Sequence, residues 1–247
     1  MIHKYELNEK YNKFQKFLFN IKSYFYSNTS TIHKARNELK IISFQNIDTV
    51  VKSFKVPNII NKIAYSFFRD SKAKKSYQYS LRLGSFSPIP IGYIEFYKFG
   101  LLLDSYYVSE EFKYDFTIRE PMLDTDFTDR DEVFKAFARF TLELHNNNIF
   151  HNDYSPGNIL IKKENSDYIF KIVDVNRMKF YNLSDEDRAL NFSKLWASDE
   201  ILTIMAQEYM THHGCNNDFT SRVLYHSNQN KKIKNFKKRL KGKPVND

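Results

Sequence analysis

Hydrophobic positions change their period several times along this chain, and the changes mark its elements. In residues 1–28, Tyr11, Phe14, Phe17, Leu18, Ile21, Tyr24 and Phe25 recur at intervals of three and four, which predicts an amphipathic helix. That helix has two readings, packing on the first half of the chain or resting its aromatic face on a membrane interface. Residues 31–35, 38–44 and 49–54 predict three antiparallel strands, joined at 36–37 and 45–48. Pro57 ends the third strand, and 58–83 reads mostly as helix. Residues 88–96 and 100–110 form a further strand pair, which completes an antiparallel five-stranded sheet with one main helix.

Beyond a boundary near Phe112 the period turns mainly helical. Residues 128–131 read as a capping-box start, and Val133, Phe134, Phe137, Phe140, Thr141 and Leu144 form one apolar core face that stops at Asn146, Asn147 and Asn148. Residues 159–161 and 168–173 read as two short strands with a polar turn over 162–167, and 185–207 as a pair of helices. Eight of the thirteen residues 231–243 are Lys or Arg, with Ile233, Phe236 and Leu240 at helical spacing. An α+β chain is expected, in segments 1–28, 29–112, 113–228 and 229–247.

Composition narrows this picture. In 247 residues, 42% hydrophobic and 17% aromatic content exclude general disorder. No apolar run approaches the about 18 residues that span a bilayer, and the N-terminus lacks the apolar core and cleavage site of a secretory signal, so a cytoplasmic location is expected. Cys215 is the single cysteine, which excludes an intrachain disulfide and any Cys/His metal spacing. A formal charge of +9 and pI near 9.3 call for an anionic partner: nucleic acid, a phosphorylated lipid surface or an acidic glycan. The 231–243 segment suits an anionic membrane surface or nucleic acid, and equally a solvated tail.

The candidate chemistry lies in His151-Asn152-Asp153-Tyr154-Ser155-Pro156-Gly157-Asn158, followed by Ile172-Val173-Asp174-Val175-Asn176. Phosphoryl transfer needs one carboxylate to orient an acceptor hydroxyl and take its proton, and an amide oxygen with a second carboxylate to hold a metal ion on the nucleotide phosphates. Asp153 fits the first role, and Asn158 with Asp174 the second. A hairpin of 159–161 with 168–173 would carry Asn158 and Asp174 at one end.

His151-x-Asp153-x-x-x-x-Asn158 followed by a strand-borne Asp174 resembles the catalytic loop of the protein-kinase-like fold. The fuller wording, with Val173-Asp174-Val175-Asn176-Arg177-Met178-Lys179-Phe180, looks like the lipopolysaccharide kinase (Kdo/heptose kinase) family of Gram-negative bacteria. The resemblance covers about 34–196. It implies a bilobal protein-kinase-like fold, a sheet-built N-lobe over 29–112, a mostly helical C-lobe over 113–228, and ATP and Mg²⁺ as cofactors. Lys52, on the third of the first three strands, would hold the phosphates, while Lys55, three residues on, alternates to the opposite face.

The same resemblance places Gln78 where kinases put a glutamate beside that lysine, and Glu110 at the adenine hinge. It assigns the phosphate turn to 34–37, which lacks the Gly-x-Gly-x-x-Gly of protein kinases and leaves Arg36 or Lys34 to compensate by charge. His151 would brace the loop. Arg177 would contact an anionic substrate or form a salt bridge within the C-lobe. With no Ala-Pro-Glu segment after Asp174, a small or glycolipid acceptor fits better than a protein.

The implied function is ATP-dependent phosphorylation of Kdo, or secondarily heptose, on a lipid A-linked core sugar. It would act at the inner face of the inner membrane, held there by the basic tail, with no nucleic acid partner. An atypical protein or small-molecule kinase and a pseudokinase scaffold remain the alternatives.

Overall fold

The computed structural model describes residues 2–28, 31–34 (backbone), 37–55, 65–66, 69–165, 167–214, 218–242 and 244. The chain divides into two compact units, Met1–Lys113 with Asp174–Asn176, and Tyr114–Val173 with Arg177–Asp247.

The first unit is built on a six-stranded antiparallel sheet: β1 (Ile2–Leu7), β2 (Thr31–Lys34), β3 (Asn37–Phe44), β4 (Ile47–Lys55), β5 (Pro90–Lys98) and β6 (Leu101–Glu110), in the spatial order β1-β5-β6-β4-β3-β2. All five strands expected from the sequence are present. The sixth, β1, corrects the reading of 1–28 as one amphipathic helix: the chain runs as an edge strand, then a 3₁₀ turn over Glu9–Phe14, then α1 (Gln15–Phe19) and α2 (Ile21–Ser27). Its three-and-four spacing begins only at Tyr11, where the helical segment starts, and β1 is exposed along nearly its whole length.

Period-two alternation gives the sheet two apolar faces. One carries Val51, Ile94, Tyr106 and Val108 against Phe14, Phe17, Leu18, Ile21 and Phe25 of the N-terminal segment. The other carries Phe54, Tyr93 and Tyr107 against Ala73 and Tyr77 of α3 (Lys72–Leu83), whose N-terminus is capped by Ser71 Oγ accepting from Lys74 N–H. Residues 58–64 and 67–68 of the expected 58–83 helix lie outside the described residues. Buried Lys40 donates to the carbonyls of Phe25 and Asn28 at 2.8 and 2.7 Å, a cation closing the C-terminal end of α2.

In the second unit β7 (Phe116–Thr117) pairs with β9 (Ile159–Glu164), and β9 with β10 (Asp167–Ile172), in the predicted hairpin with Ile159 opposite Ile172. After the short α4 (Arg119–Leu123) comes α5 (Arg130–Asn146), whose Val133, Phe134, Phe137, Thr141 and Leu144 are buried as the stripe predicts. The capping box expected at its start does not form. Asp129 adopts a left-handed backbone with no side-chain cap, and its carboxylate accepts from Lys163 Nζ instead. A capping box does form at Ser184 and Asp187, opening α6 (Asp185–Phe192).

Two longer helices follow, α7 (Asp199–His213) and α8 (Phe219–Leu240). The basic 229–247 segment is therefore no separate tail up to residue 240. It continues a helix that buries Phe219, Val223 and Ser227 in its first half. Among the described residues no helix is long and apolar enough to cross a membrane.

Gly92 lies opposite Leu7 at the end of the β1–β5 ladder, and a Cβ there would sit 2.7 Å from the Glu6 carbonyl oxygen and 3.0 Å from Leu18 Cδ1. Gly92→Ala should therefore cost about 1–3 kcal/mol of stability. Urea unfolding will measure the loss, and amide exchange should show it concentrated in Ile2–Leu7.

Candidate active site

In the second unit, the chain leaves α5 through β8 (Ile149–His151), which pairs with β11 (Met178–Phe180), Met178 lying opposite His151. The loop that follows β8 is fixed from below. Tyr154 is wholly buried, its ring 5.5 Å from Phe137 and its hydroxyl 2.8 Å from Thr141 Oγ1, and burial pushes its phenol up from the ordinary range.

His151 is also buried. Its Nδ1 accepts from the Asp153 N–H at 3.1 Å, so the opposite nitrogen carries the proton and donates to the Val173 carbonyl at 3.2 Å. Its ring thereby ties the loop's Asp153 N–H to the Val173 carbonyl. The Asp153 carbonyl accepts from Ser155 N–H and Asn158 Nδ2 at 2.7 and 2.8 Å, and the Asn158 carbonyl accepts from Val173 N–H at 2.9 Å. Gly157 leaves room for the Arg119 guanidinium, 2.8 Å from where a Cβ would stand.

A buried polar chain supports this loop. Asn191 Nδ2 donates to the His151 carbonyl at 3.0 Å, and its Oδ1 accepts from His145 Nε2 at 3.1 Å. His145 Nδ1 in turn accepts from the Tyr209 hydroxyl at 3.0 Å, which itself accepts from Arg188 at 2.8 Å. The sequence reading missed this chain, since Asn191 and His145 belong to helices that share no motif. The Asp153 side chain carries none of the loop's structure: it points to partial exposure and meets the Arg177 guanidinium at 3.3 Å. Arg177 thus forms a salt bridge within the second unit, and its partner is Asp153 itself.

The first unit contains the other half of the candidate chemistry. Lys52 Nζ donates to Asp174 Oδ1 at 2.7 Å, and Asn176 Nδ2 donates to the same oxygen at 2.6 Å. Asp174 has a left-handed backbone (φ 56°), a conformation that Asp tolerates better than most residues. Lys52 also lies 5.3 Å from the Phe54 ring on the α3 face of β4. Gln78, half-buried in α3, makes no hydrogen bond to Lys52. Glu110 ends β6 with its N–H donated to the Ile89 carbonyl and its carboxylate accepting from the Tyr11 hydroxyl, so both groups are engaged inside the unit. Arg36 lies outside the described residues.

An amide oxygen and a carboxylate are each hard donors of the kind Mg²⁺ takes. Because the Asn158 amide nitrogen is held by the Asp153 carbonyl, its Oδ1 is the atom left to ligate. Among the described residues no three His, Cys, Asp or Glu side chains gather into a metal site. Mg²⁺ does not require one, since it keeps waters and phosphate oxygens beside one or two carboxylates.

No protein-family profile matches the chain, and no curated protein matches it. A solved structure of WaaP in complex with acyl carrier protein is similar, with a TM-score of 0.60, 14% identity, and coverage of 93% of this chain and 99% of that one. The fold is kinase-like. At this identity the likeness establishes the architecture and leaves the chemistry to the residues.

His145 is fully buried and stays neutral: burial first, then the nearby Arg188, lowers its pKa from 6.5 to about 3. An unfolded chain binds that proton from about pH 6.5 downward and the folded chain does not, so stability present above 6.5 is lost as the pH falls toward 3. Between pH 7 and 5 the loss should be about 2 kcal/mol greater than in His145→Gln, as read by urea unfolding at the two pH values.

Proposed function

We propose that this protein is an ATP- and Mg²⁺-dependent kinase that phosphorylates a hydroxyl of a lipopolysaccharide core sugar, with Kdo first and heptose second as acceptor. The observation that carries the reading is the Lys52–Asp174 bond at 2.7 Å, between the strand lysine and the aspartate that the kinase motif assigns to nucleotide and metal. The ordered loop His151 to Asn158 supports it, as does the fold shared with WaaP. Together they match the lipopolysaccharide kinase wording of 173–180.

In this reading Lys52 would hold the nucleotide phosphates, and Asn158 Oδ1 and the Asp174 carboxylate would each supply an oxygen to Mg²⁺, which would offset the negative charge of the phosphates. Asp153 orients the sugar hydroxyl and accepts its proton as the oxygen takes the γ-phosphoryl group and ADP leaves. Arg177, 3.3 Å from Asp153, keeps the carboxylate directed while the acceptor is absent. Asp153 supports the loop through its backbone N–H and carbonyl, so its side chain can be changed without unfolding the loop.

Asp153→Ala should keep its circular dichroism and lose about 10²–10⁴-fold in turnover, and Lys52→Ala should act mainly on ATP use. The assay is transfer from labelled ATP to Kdo-lipid A, with a protein panel and small alcohols as rival acceptors. Near-full turnover by Asp153→Ala would reject the mechanism. A chain that transfers nothing to any acceptor would be the pseudokinase scaffold.

The membrane part of the proposal rests on α8. Ile233, Phe236 and Leu240 are exposed on one side, flanked by Lys232, Lys237 and Arg239, the pattern of a helix lying in an anionic interface. Each basic residue near such a surface is worth about 1 kcal/mol. Phe236→Asp with Leu240→Asp should abolish co-sedimentation with phosphatidylglycerol vesicles at low salt, and unchanged sedimentation would remove the membrane role.

A further inference from the structure

The second unit holds a cluster of cations that the reaction as described does not use. After α6 the chain turns through Ser193, Lys194 and Trp196 before α7 begins. Two side-chain bonds tie this turn to its surroundings. At its start, Asn191 Nδ2 donates to the carbonyl of His151, two residues before Asp153. On its other side, Asn230 Nδ2 of α8 donates to the Ser193 carbonyl at 2.6 Å. The turn is thus pinned between the catalytic loop and α8.

Trp196 is half-buried with a left-handed backbone (φ 60°). A bulky residue there costs about 1–3 kcal/mol and persists only where its surroundings impose it. Above the indole lie Lys234 and Lys238, one helical turn apart on α8, with ammonium groups 4.9 and 5.5 Å from the ring. None of Lys194, Lys234 and Lys238 is ion-paired with a carboxylate among the described residues, although Lys231 on the same helix lies 3.7 Å from Asp199. Charge accounts for the rest of the placement. The Lys234 ammonium is held below its ordinary range by burial and then by Lys194 and Lys238, against an upward pull from Asp153. Three like charges gathered with no ion-paired carboxylate among the described residues repel one another, and an arriving anion relieves that repulsion.

We propose that Lys194, Lys234 and Lys238, set about Trp196 beside Asp153, form the acceptor subsite and select a sugar that carries its own negative group. The lysines take the carboxylate or phosphate borne on the sugar and swing off the indole as they do so, which frees its face for the apolar face of the ring. A neutral sugar would leave the cations unpaired. This deepens the kinase reading, on which it rests for calling the ligand an acceptor. The charge selectivity is a property of the turn and α8 alone.

Trp196 is the only tryptophan in the chain, so its fluorescence reports on this site without a label and without turnover. The wild-type protein, free of nucleotide, is titrated with glucose-6-phosphate, glucuronate, glucose and inorganic phosphate. Both anionic sugars should shift the emission, and glucose and inorganic phosphate should bind about tenfold more weakly or not at all. Comparing the two anionic sugars tells whether phosphate or carboxylate is the preferred group. Lys194→Gln with Lys234→Gln should weaken the anionic sugars about tenfold, while Lys98→Gln in the other unit leaves them unchanged. Circular dichroism and the unliganded emission verify that the double variant is folded.

Equal binding of glucose, or inorganic phosphate binding as well as glucose-6-phosphate, overturns the proposal, as does no response to any sugar. So does full binding by a folded double variant. Loss of transfer in the kinase assay with this selectivity intact would instead remove the catalytic reading and leave an anionic-sugar binding site.

Discussion

The loop that bears Asp153 and Asn158 depends on an unbroken row of buried hydrogen bonds from Arg188 through Tyr209, His145 and Asn191 to the His151 carbonyl. Each of these groups lies where water cannot reach it freely, so each unmade bond would cost about 1–3 kcal/mol. A row of this kind stabilises only when complete, because a single missing partner strands a polar group on either side. Completeness here requires a neutral His145, with one ring nitrogen donating and the other accepting. The protonation state of a residue far from the motif in sequence is thereby a condition for the motif's shape.

The consequence for function is a division of labour within the loop. His151 and Tyr154 are buried and turned inward, and the Asp153 and Asn158 backbones close the turn. That leaves the Asp153 carboxylate and the Asn158 Oδ1 with little structural duty. A comparable division separates two lysines of the first unit. Lys40 is buried against the carbonyls ending α2, while Lys52, on the opposite face of the sheet, is directed at Asp174. Strand parity alone decides which lysine serves packing and which is left for chemistry.

That parity explains how much of the site was legible in the sequence. The five strands, the 159–172 hairpin, the α5 stripe and the ordered set of Asp153, Asn158 and Asp174 follow from period and spacing, which are local. Strand β1 was not legible, because an edge strand exposed on both sides has no alternating burial to print on its sequence. The pairing of Asn191 with His151 was not legible either, since nothing local separates an asparagine that supports a loop from one on a helix surface. The reading of 128–131 as a capping box failed for a related reason: the Asp129 carboxylate meets Lys163, thirty-four residues away in the hairpin. The basic segment was visible as charge, but its continuation of a packed helix depended on contacts made by Phe219 and Val223.

Backbone strain points the same way as the chemistry. Among the described residues, the non-glycine positions with positive φ include Gln45, Asn46, Phe99 and Asn165, which lie at hairpin turns, and Asp129 and Asn148, which flank α5. Geometry demands such conformations at tight turns. Asp174 and Trp196 are left, and neither closes a hairpin or flanks α5. Asp174 is held by Lys52 and Asn176, and Trp196 by a turn pinned at Asn191 and Asn230. Strain retained at a bulky residue under two unpaired lysines is not needed to connect α6 to α7, because a smaller residue would make the same turn at lower cost. What the tryptophan adds is an aromatic ring held at a fixed place under two cations, which is what the proposed acceptor subsite requires.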